Sequence, residues 1–168
     1  MKTIKTNLSS QSINETIRQL QALKDNIKDT ANDVVEELVL STESWINENY
    51  SATTERPFNE DYEVVHELDG NEGKVIARGG SVIYMEFGTG EMGKKGQEHP
   101  LRSEFPLNDF NSGPIVSTHI NKRGEHYWFY AGEYTQGIPA GLQVYNALEK
   151  LKKEKLTIAR KVVDYKLW

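Results

Sequence analysis

One carboxylate stands inside an apolar segment of this sequence. Glu86 lies within Val82–Phe87, where every other residue is aliphatic or aromatic. A half-buried glutamate can act as a general acid in catalysis. In most proteins such a carboxylate instead accepts hydrogen bonds from nearby backbone N–H groups, because carboxylates are rarely buried without a partner. We therefore expect a structural role for Glu86 and keep a small hydrolase using Glu86 and a histidine as an alternative.

The histidines and glycines give little support to a metal, nucleophile or phosphate site. No two histidines have the i, i+4 spacing on a helix, and H-E-x-x-H and G-x-S-x-G are absent. Gly88-Thr89-Gly90 lacks the spacing of a P-loop, since Lys95 is followed by Gly96. Cysteine is absent, which excludes disulfides and thiol catalysis. We expect no enzyme activity, no metal and no cofactor. The histidines are His66, His99, His119 and His126.

Composition predicts one soluble domain over residues 1–168. The chain is 37% hydrophobic and 27% charged, with a net charge of -5. No apolar run approaches the length of a membrane span, and Met1–Asn7 has no apolar signal core, so we expect no membrane association and no export by that route.

The two ends of the chain carry opposite charge. Ile13–Asn49 has eight acidic against three basic residues, and Ala147–Trp168 has seven basic against three acidic. Two helices with oppositely charged faces lying near each other explain this pattern most simply. The alternative is a basic surface for nucleic acid or an acidic partner.

The clearest predicted element is an amphipathic helix over Ile13–Tyr50. Ser12 and Glu15 have the spacing of a capping box at its start. An unbroken helix of this length would be about 57 Å long, whereas a compact domain of this size is about 40 Å across. The helix must therefore bend near Asn26–Asn32 or project from the domain, where its apolar face needs a partner. That face comprises Ile13, Ile17, Leu20, Leu23, Ile27, Ala31, Val34, Leu38 and Trp45.

A hairpin and a short helix are predicted next, over residues 62–88. Tyr62–Leu68 and Lys74–Arg78 have strand character and flank a predicted turn at Asp69–Gly73. Ser81–Phe87 is predicted to be a short helix ended by Gly88, because glycine readily adopts the left-handed conformation of a C-cap. The flanking predictions are a short strand at Thr3–Leu8 and a polar linker at Ser51–Glu60.

The second half combines a long loop, one aromatic strand and a last helix. Residues 89–124 are predicted to be a long mobile loop, with a short strand at Ile115–Ile120. His126–Tyr130 has the aromatic content of a strand, and Gly132–Gly137 that of a turn. The last helix is predicted over residues 139–163, with Pro139 in its first turn. The fold class is therefore α+β: a small antiparallel sheet packed with a long N-terminal helix, a short middle helix and a C-terminal helix.

The middle of the chain resembles a known family. The stretch Tyr84–Gly90 is similar to the Tyr-x-Glu-Phe-Gly-Thr-Gly motif of the head–tail joining (neck or tail-completion) proteins of long-tailed DNA phages. The family's later Trp-x-Tyr strand corresponds to Trp128–Tyr130, and its last helix to a segment containing Ala147–Lys150. The resemblance covers roughly Leu20–Lys155. The motif residues are Tyr84, Glu86, Phe87, Gly88, Thr89, Gly90, Trp128 and Tyr130.

The resemblance implies a structural component of the virion, made in the host cytoplasm. Such a protein would join the head connector to the tail tube or terminator proteins by forming or completing a ring. We expect the free subunit to be monomeric or weakly associated. DNA in the channel of the ring is a possible further partner, and the basic last helix would face either the channel or an acidic partner protein. The loop Glu91–Gly124 and the tail after Glu154 depart from the family pattern. The alternative is a nucleic-acid-binding module using the basic last helix, with Tyr127–Tyr130 as a stacking surface.

Overall fold

A computed structural model of the chain describes residues 9–52, 62–80, 82–88, 99–101, 119–120, 122–123, 126–130, 133–135 and 140–167. Within these described residues, three helices and five strands confirm the predicted α+β class. In chain order they are α1 Ser10–Ala52, β1 Glu63–Asp69, β2 Glu72–Arg78, α2 Val82–Phe87, β3 His119–Ile120, β4 His126–Tyr130, β5 Glu133–Thr135 and α3 Gln143–Leu167. The strand predicted at Thr3–Leu8 lies outside the described residues.

Helix α1 begins one turn earlier than the sequence predicted. The backbone N–H of Ser12 donates to Oγ of Ser9 at 3.2 Å, so Ser9 is the N-cap. The predicted capping box of Ser12 and Glu15 is therefore wrong. Both residues lie inside the helix, where Glu15 accepts a hydrogen bond from Gln19 at 3.3 Å.

Helix α1 is continuous over 43 residues, which corresponds to about 64 Å. It passes through Asn26–Asn32 without a break and includes Ser51 and Ala52 from the predicted linker. Of the two ways to accommodate its length, the structure has the projecting one, because most side chains between Ser10 and Asp29 are exposed. Five apolar side chains there are between 39% and 53% exposed: Ile13, Ile17, Leu20, Leu23 and Ile27.

Strands β1 and β2 form a tight antiparallel hairpin against α1. Asp69 pairs with Glu72, so that the turn is only Gly70-Asn71 and not the predicted Asp69–Gly73. The turn is this short because Gly70 adopts a φ of 59°, which suits a two-residue type II′ turn. Gly73 then lies in β2, where a Cβ atom would collide with Cγ2 of Val39 on α1.

Helix α2 and its end confirm the prediction for this segment. It spans Val82–Phe87, and Gly88 follows with a φ of 71°. A positive φ directly after the last helical residue is the usual helix C-cap of glycine.

The second sheet has the order β3-β4-β5 and is antiparallel throughout. Strand β3 lies within the predicted Ile115–Ile120 strand, and β4 matches its prediction. Glu133–Thr135, predicted as part of a turn, pairs with β4 as strand β5. The prediction of a turn was wrong because the segment between Gly132 and Gly137 is long enough to contain a short strand, which pairs with β4. Most of the predicted loop 89–124 lies outside the described residues.

Helix α3 begins at Gln143, four residues after the predicted start, and ends at Leu167. The predicted first turn is wrong for a backbone reason: Leu142 has a φ of 57°, which is incompatible with a right-handed helix. The N–H of Asn146 donates to the carbonyl of Leu142 at 2.8 Å, so Leu142 occupies the position just before the helix.

Helices α1 and α3 pack side by side in opposite directions. At one end Nδ2 of Asn49 donates to the carbonyl of Gln143 at 2.7 Å, and at the other Lys166 pairs with Asp33 at 2.9 Å. This is the arrangement of oppositely charged neighbouring helices that the charge pattern favoured. The hydrogen bond to Asp33 raises the pKa of Lys166.

The hydrophobic core lies where α1, α2, α3 and the hairpin meet. The core cluster comprises Ile46, Tyr50, Val82, Met85 and Ala147. The α1 residues of this cluster, Ile46 and Tyr50, lie near the C-terminus of the helix.

Candidate functional site

The carboxylate of Glu86 caps the N-terminus of α3. Oε2 accepts a hydrogen bond from the backbone N–H of Val144 at 2.8 Å, and Oε1 one from that of Tyr145 at 2.9 Å. The first N–H groups of a helix have no partner within it, and the helix dipole favours a negative charge there. Caps are normally supplied by the residue just before the helix. Here the cap comes from another helix, 58 residues earlier than Val144.

His99 completes this cluster. Its Nε2 lies 3.0 Å from Oε1 of Glu86, and its Nδ1 accepts a hydrogen bond from the N–H of Leu101 at 3.0 Å. Since Nδ1 is an acceptor, the neutral ring carries its proton on Nε2 and donates it to Glu86. The ring is enclosed by Phe87, with centroids 4.1 Å apart, and by Tyr145, with centroids 5.3 Å apart. His99 is therefore buried, although it lies within the segment predicted to be a long loop.

Backbone contacts fix the same junction. The N–H of Gly141 donates to the carbonyl of Met85 at 2.8 Å, and that of Leu142 to the carbonyl of Glu86 at 3.3 Å. A Cβ atom at residue 141 would collide with the side-chain amide of Gln143. A larger residue at this position would therefore displace the amide of Gln143. We call this cluster, comprising Glu86, His99 and the α3 N-terminus, the Glu86 joint.

Tyr50 lies in the core near the joint. Its ring stacks on Tyr62, with centroids 4.5 Å apart, and it is completely buried. Within the described part of the chain its hydroxyl has no hydrogen-bond partner. Burial, followed by the negative charge of Glu86, raises the pKa of Tyr50 well above its usual range. The phenol is therefore neutral in the folded protein at every physiological pH.

The geometry of the Glu86 joint indicates a structural role for Glu86 and His99. The side chains of His99 and Glu86 are only 3% and 8% exposed. Both oxygens of Glu86 already accept hydrogen bonds from the folded chain, so a catalytic role would require these to be exchanged. Among the described residues, no group of three or more histidine, cysteine, aspartate or glutamate side chains has the arrangement of a metal site.

The other motif residues divide into those that the structure describes and those that it does not. Tyr84 is half-buried on α2, and Phe87 packs on His99. Trp128 and Tyr130 lie in β4 opposite Thr135 and Glu133, and their side chains fall outside the description. Thr89 and Gly90 also lie outside the described residues.

Two surface features were only partly foreseen. The first is the exposed apolar row Ile13–Ile27 on α1, which we call the stripe. The second is a groove of about 520 Å³ between α1 and α3. Its lining combines four carboxylates and two lysines with several apolar side chains. The side chains that line the groove include Asp33, Glu36, Glu37, Leu40, Trp45, Glu154, Lys161 and Lys166.

Compared with known protein families, with curated proteins and with solved structures, the chain gives no match. None of the helices in the described ranges combines the length and apolar character that a membrane span requires.

Proposed function

We propose that this chain is a structural phage neck protein that joins the head connector to the tail by forming or completing a ring. The observation that carries the proposal is the stripe on the projecting half of α1. Monomeric soluble proteins seldom expose a continuous apolar row along a helix, and such rows usually mark protein–protein contacts. A subunit built to assemble would have this surface.

The Glu86 joint supports the resemblance on which the phage assignment rests. In the motif Tyr84–Gly90, Glu86 caps α3, Phe87 packs on His99 and Gly88 ends α2. Each of these roles holds the fold together, and none requires a substrate. A motif with such roles fits a family whose members share an architecture and act by binding.

The partners in this proposal are the head connector, the tail tube or terminator proteins, and further copies of the chain. The location is the virion, after assembly in the host cytoplasm. DNA in the channel of the ring is a possible further partner.

The deciding experiment is negative-stain electron microscopy of lysates from the phage or prophage that carries the gene, with the gene disrupted. We expect filled heads and finished tails lying unjoined, and joined particles again when the intact chain is supplied from a plasmid. Joined particles in the disrupted lysate would remove the neck function. The alternative function, a nucleic-acid-binding module, would then be favoured. It predicts an affinity for DNA that falls steeply as the salt concentration rises.

A further inference from the structure

The stripe presents lysines together with its apolar side chains. At 3.6 residues per turn, Lys24 falls within the stripe and Lys28 at its edge. The nearby carboxylates of Glu15 and Asp25 lie on the far side of the helix by the same spacing. The stripe is therefore an apolar surface with positive charge, although α1 as a whole is acidic.

The groove has the opposite character. Lys166 is already paired with Asp33 at 2.9 Å. Among the lining residues this leaves the three carboxylates of Glu36, Glu37 and Glu154 and one further lysine, Lys161. The apolar part of the lining includes the side chain of Leu40, which is 40% exposed. A helix with an apolar face and flanking lysines suits such a site in both shape and charge.

The two features also match in length. The stripe from Ile13 to Ile27 extends about 21 Å, and the α1 side of the groove from Asp33 to Trp45 about 18 Å. Both lie on one uninterrupted helix. A subunit therefore cannot place its stripe in its own groove, although a second copy can.

We propose that the stripe of one subunit docks into the groove of the next, with Lys24 and Lys28 facing Glu36, Glu37 and Glu154. The docked helix adds a third member to the α1–α3 pair. Because stripe and groove are different surfaces of the subunit, the contact is head-to-tail, and its repetition closes a ring if the rotation allows. The inference deepens the proposed function, on which it rests for the expectation that the ring closes.

Disulfide trapping tests the contact on the full-length chain, which contains no cysteine of its own. The variants Leu20→Cys, in the stripe, and Leu40→Cys, in the groove, are purified separately, mixed at high concentration and oxidised mildly. We expect a disulfide-linked dimer in several-fold excess over either variant alone. The matched control replaces Leu20→Cys by Glu15→Cys, an exposed position on the far side of the same helix. Equal yields for the mixture and this control would overturn the proposal.

Two further trapping experiments test the choice of the groove and the role of the charges. Linkage of Leu20→Cys to itself as efficient as in the mixture would show stripe–stripe pairing and overturn the groove as the docking site. The double change of Lys24 and Lys28 to Glu should reduce trapping several-fold, and changing Glu36 and Glu37 to Lys in the groove-bearing partner should restore it. Failure of this exchange to restore trapping would contradict the charge assignment.

The trapping result and the microscopy result can fail separately. Trapping uses purified subunits, so a specific Leu20→Cys to Leu40→Cys disulfide would stand even if phage particles join without the gene. Conversely, unjoined heads and tails without specific trapping would keep the neck function and remove this contact from it.

Discussion

Oε1 of Glu86 lies 3.0 Å from Nε2 of His99, and both side chains are almost completely buried. The same carboxylate holds the first turn of α3 through the N–H groups of Val144 and Tyr145. Three segments distant in sequence therefore meet at one acidic group. Their relative position depends on it, because the hydrogen bonds of a buried carboxylate are among the more stabilising polar contacts in a protein.

The first prediction concerns Glu86→Gln. The amide keeps the shape but turns one acceptor into an N–H₂ group that meets a backbone or histidine donor. We expect a loss of about 2–3 kcal/mol in the free energy of unfolding, measured by urea denaturation. Glu149→Gln is the matched control, since Glu149 pairs with Lys152 on the α3 surface; we expect a change below about 0.5 kcal/mol. An equally stable Glu86→Gln protein would return Glu86 to the candidate catalytic residues.

The second prediction concerns the coupling of Glu86 and His99. In a double-mutant cycle with Glu86→Gln and His99→Ala, we expect an interaction free energy of about 1–3 kcal/mol, because the two side chains share a buried hydrogen bond. The same cycle with Glu86→Gln and His66→Ala should be additive, since His66 instead contacts Glu43 at 2.8 Å on the hairpin side of α1. Additivity in both cycles would show that the 3.0 Å contact contributes nothing.

The third prediction concerns Tyr50 and alkaline pH. Its folded-state pKa is raised from the ordinary value of 10.0 by burial, so the unfolded chain loses the phenolic proton first. Ionisation of Tyr50 therefore leaves the free energy of unfolding unchanged below about pH 10 and lowers it above that pH, by at most about 1.4 kcal/mol per pH unit. The free energy of unfolding, measured by denaturation at pH values between about 8 and 11, should decrease less steeply with pH for Tyr50→Phe than for the unchanged chain.

At neutral pH the same substitution should be harmless. The hydroxyl of Tyr50 is buried without a described partner, so its removal should leave the free energy of unfolding unchanged or raise it by up to about 1 kcal/mol. A clear loss at pH 7 would indicate that the hydroxyl makes a hydrogen bond that the structure does not describe.

The fourth prediction concerns the contact between the hairpin and α1. In Gly73→Ala the added methyl group would collide with Val39 and press on Val35 and Leu68, at 3.2 and 3.3 Å. We expect a loss of about 1–3 kcal/mol from overpacking. Lys74→Ala, at the exposed neighbouring position, is the control and should stay within about 0.5 kcal/mol. Thermal unfolding followed by circular dichroism measures both.

The helices were predictable where local chemistry determines them. The apolar period of α1 and the left-handed preference of Gly88 act over a few residues, and both predictions are confirmed. The start of α1 was missed because Ser9 and Ser12 can both cap a helix, and the glutamate at residue 15 favoured the wrong serine. The start of α3 was missed because nothing local announces that Leu142 adopts a positive φ.

The joint was only half predictable, for a related reason. Glu86 was conspicuous because a carboxylate in an apolar run must find donors. The donors themselves lie 13 residues later in His99 and 58 or 59 residues later in α3. Such pairings depend on how the chain folds back, and no periodicity encodes them. The site predictions for Thr89, Gly90 and the side chains of Trp128 and Tyr130 stay predictions.

The uninterrupted course of α1 gives the molecule a mechanical property. Its C-terminal half packs against α3 and the hairpin, and its first twenty residues project from the domain over about 30 Å. A tilt of about 10° at the held end would displace the tip by about 5 Å. The packing around Gly73 and Tyr50 therefore determines the position of Ile13 and Ile17 relative to the rest of the domain. A substitution in the core could therefore change the distance between two partners bound at the two ends of α1. Neither of the surfaces that bind them would itself be altered.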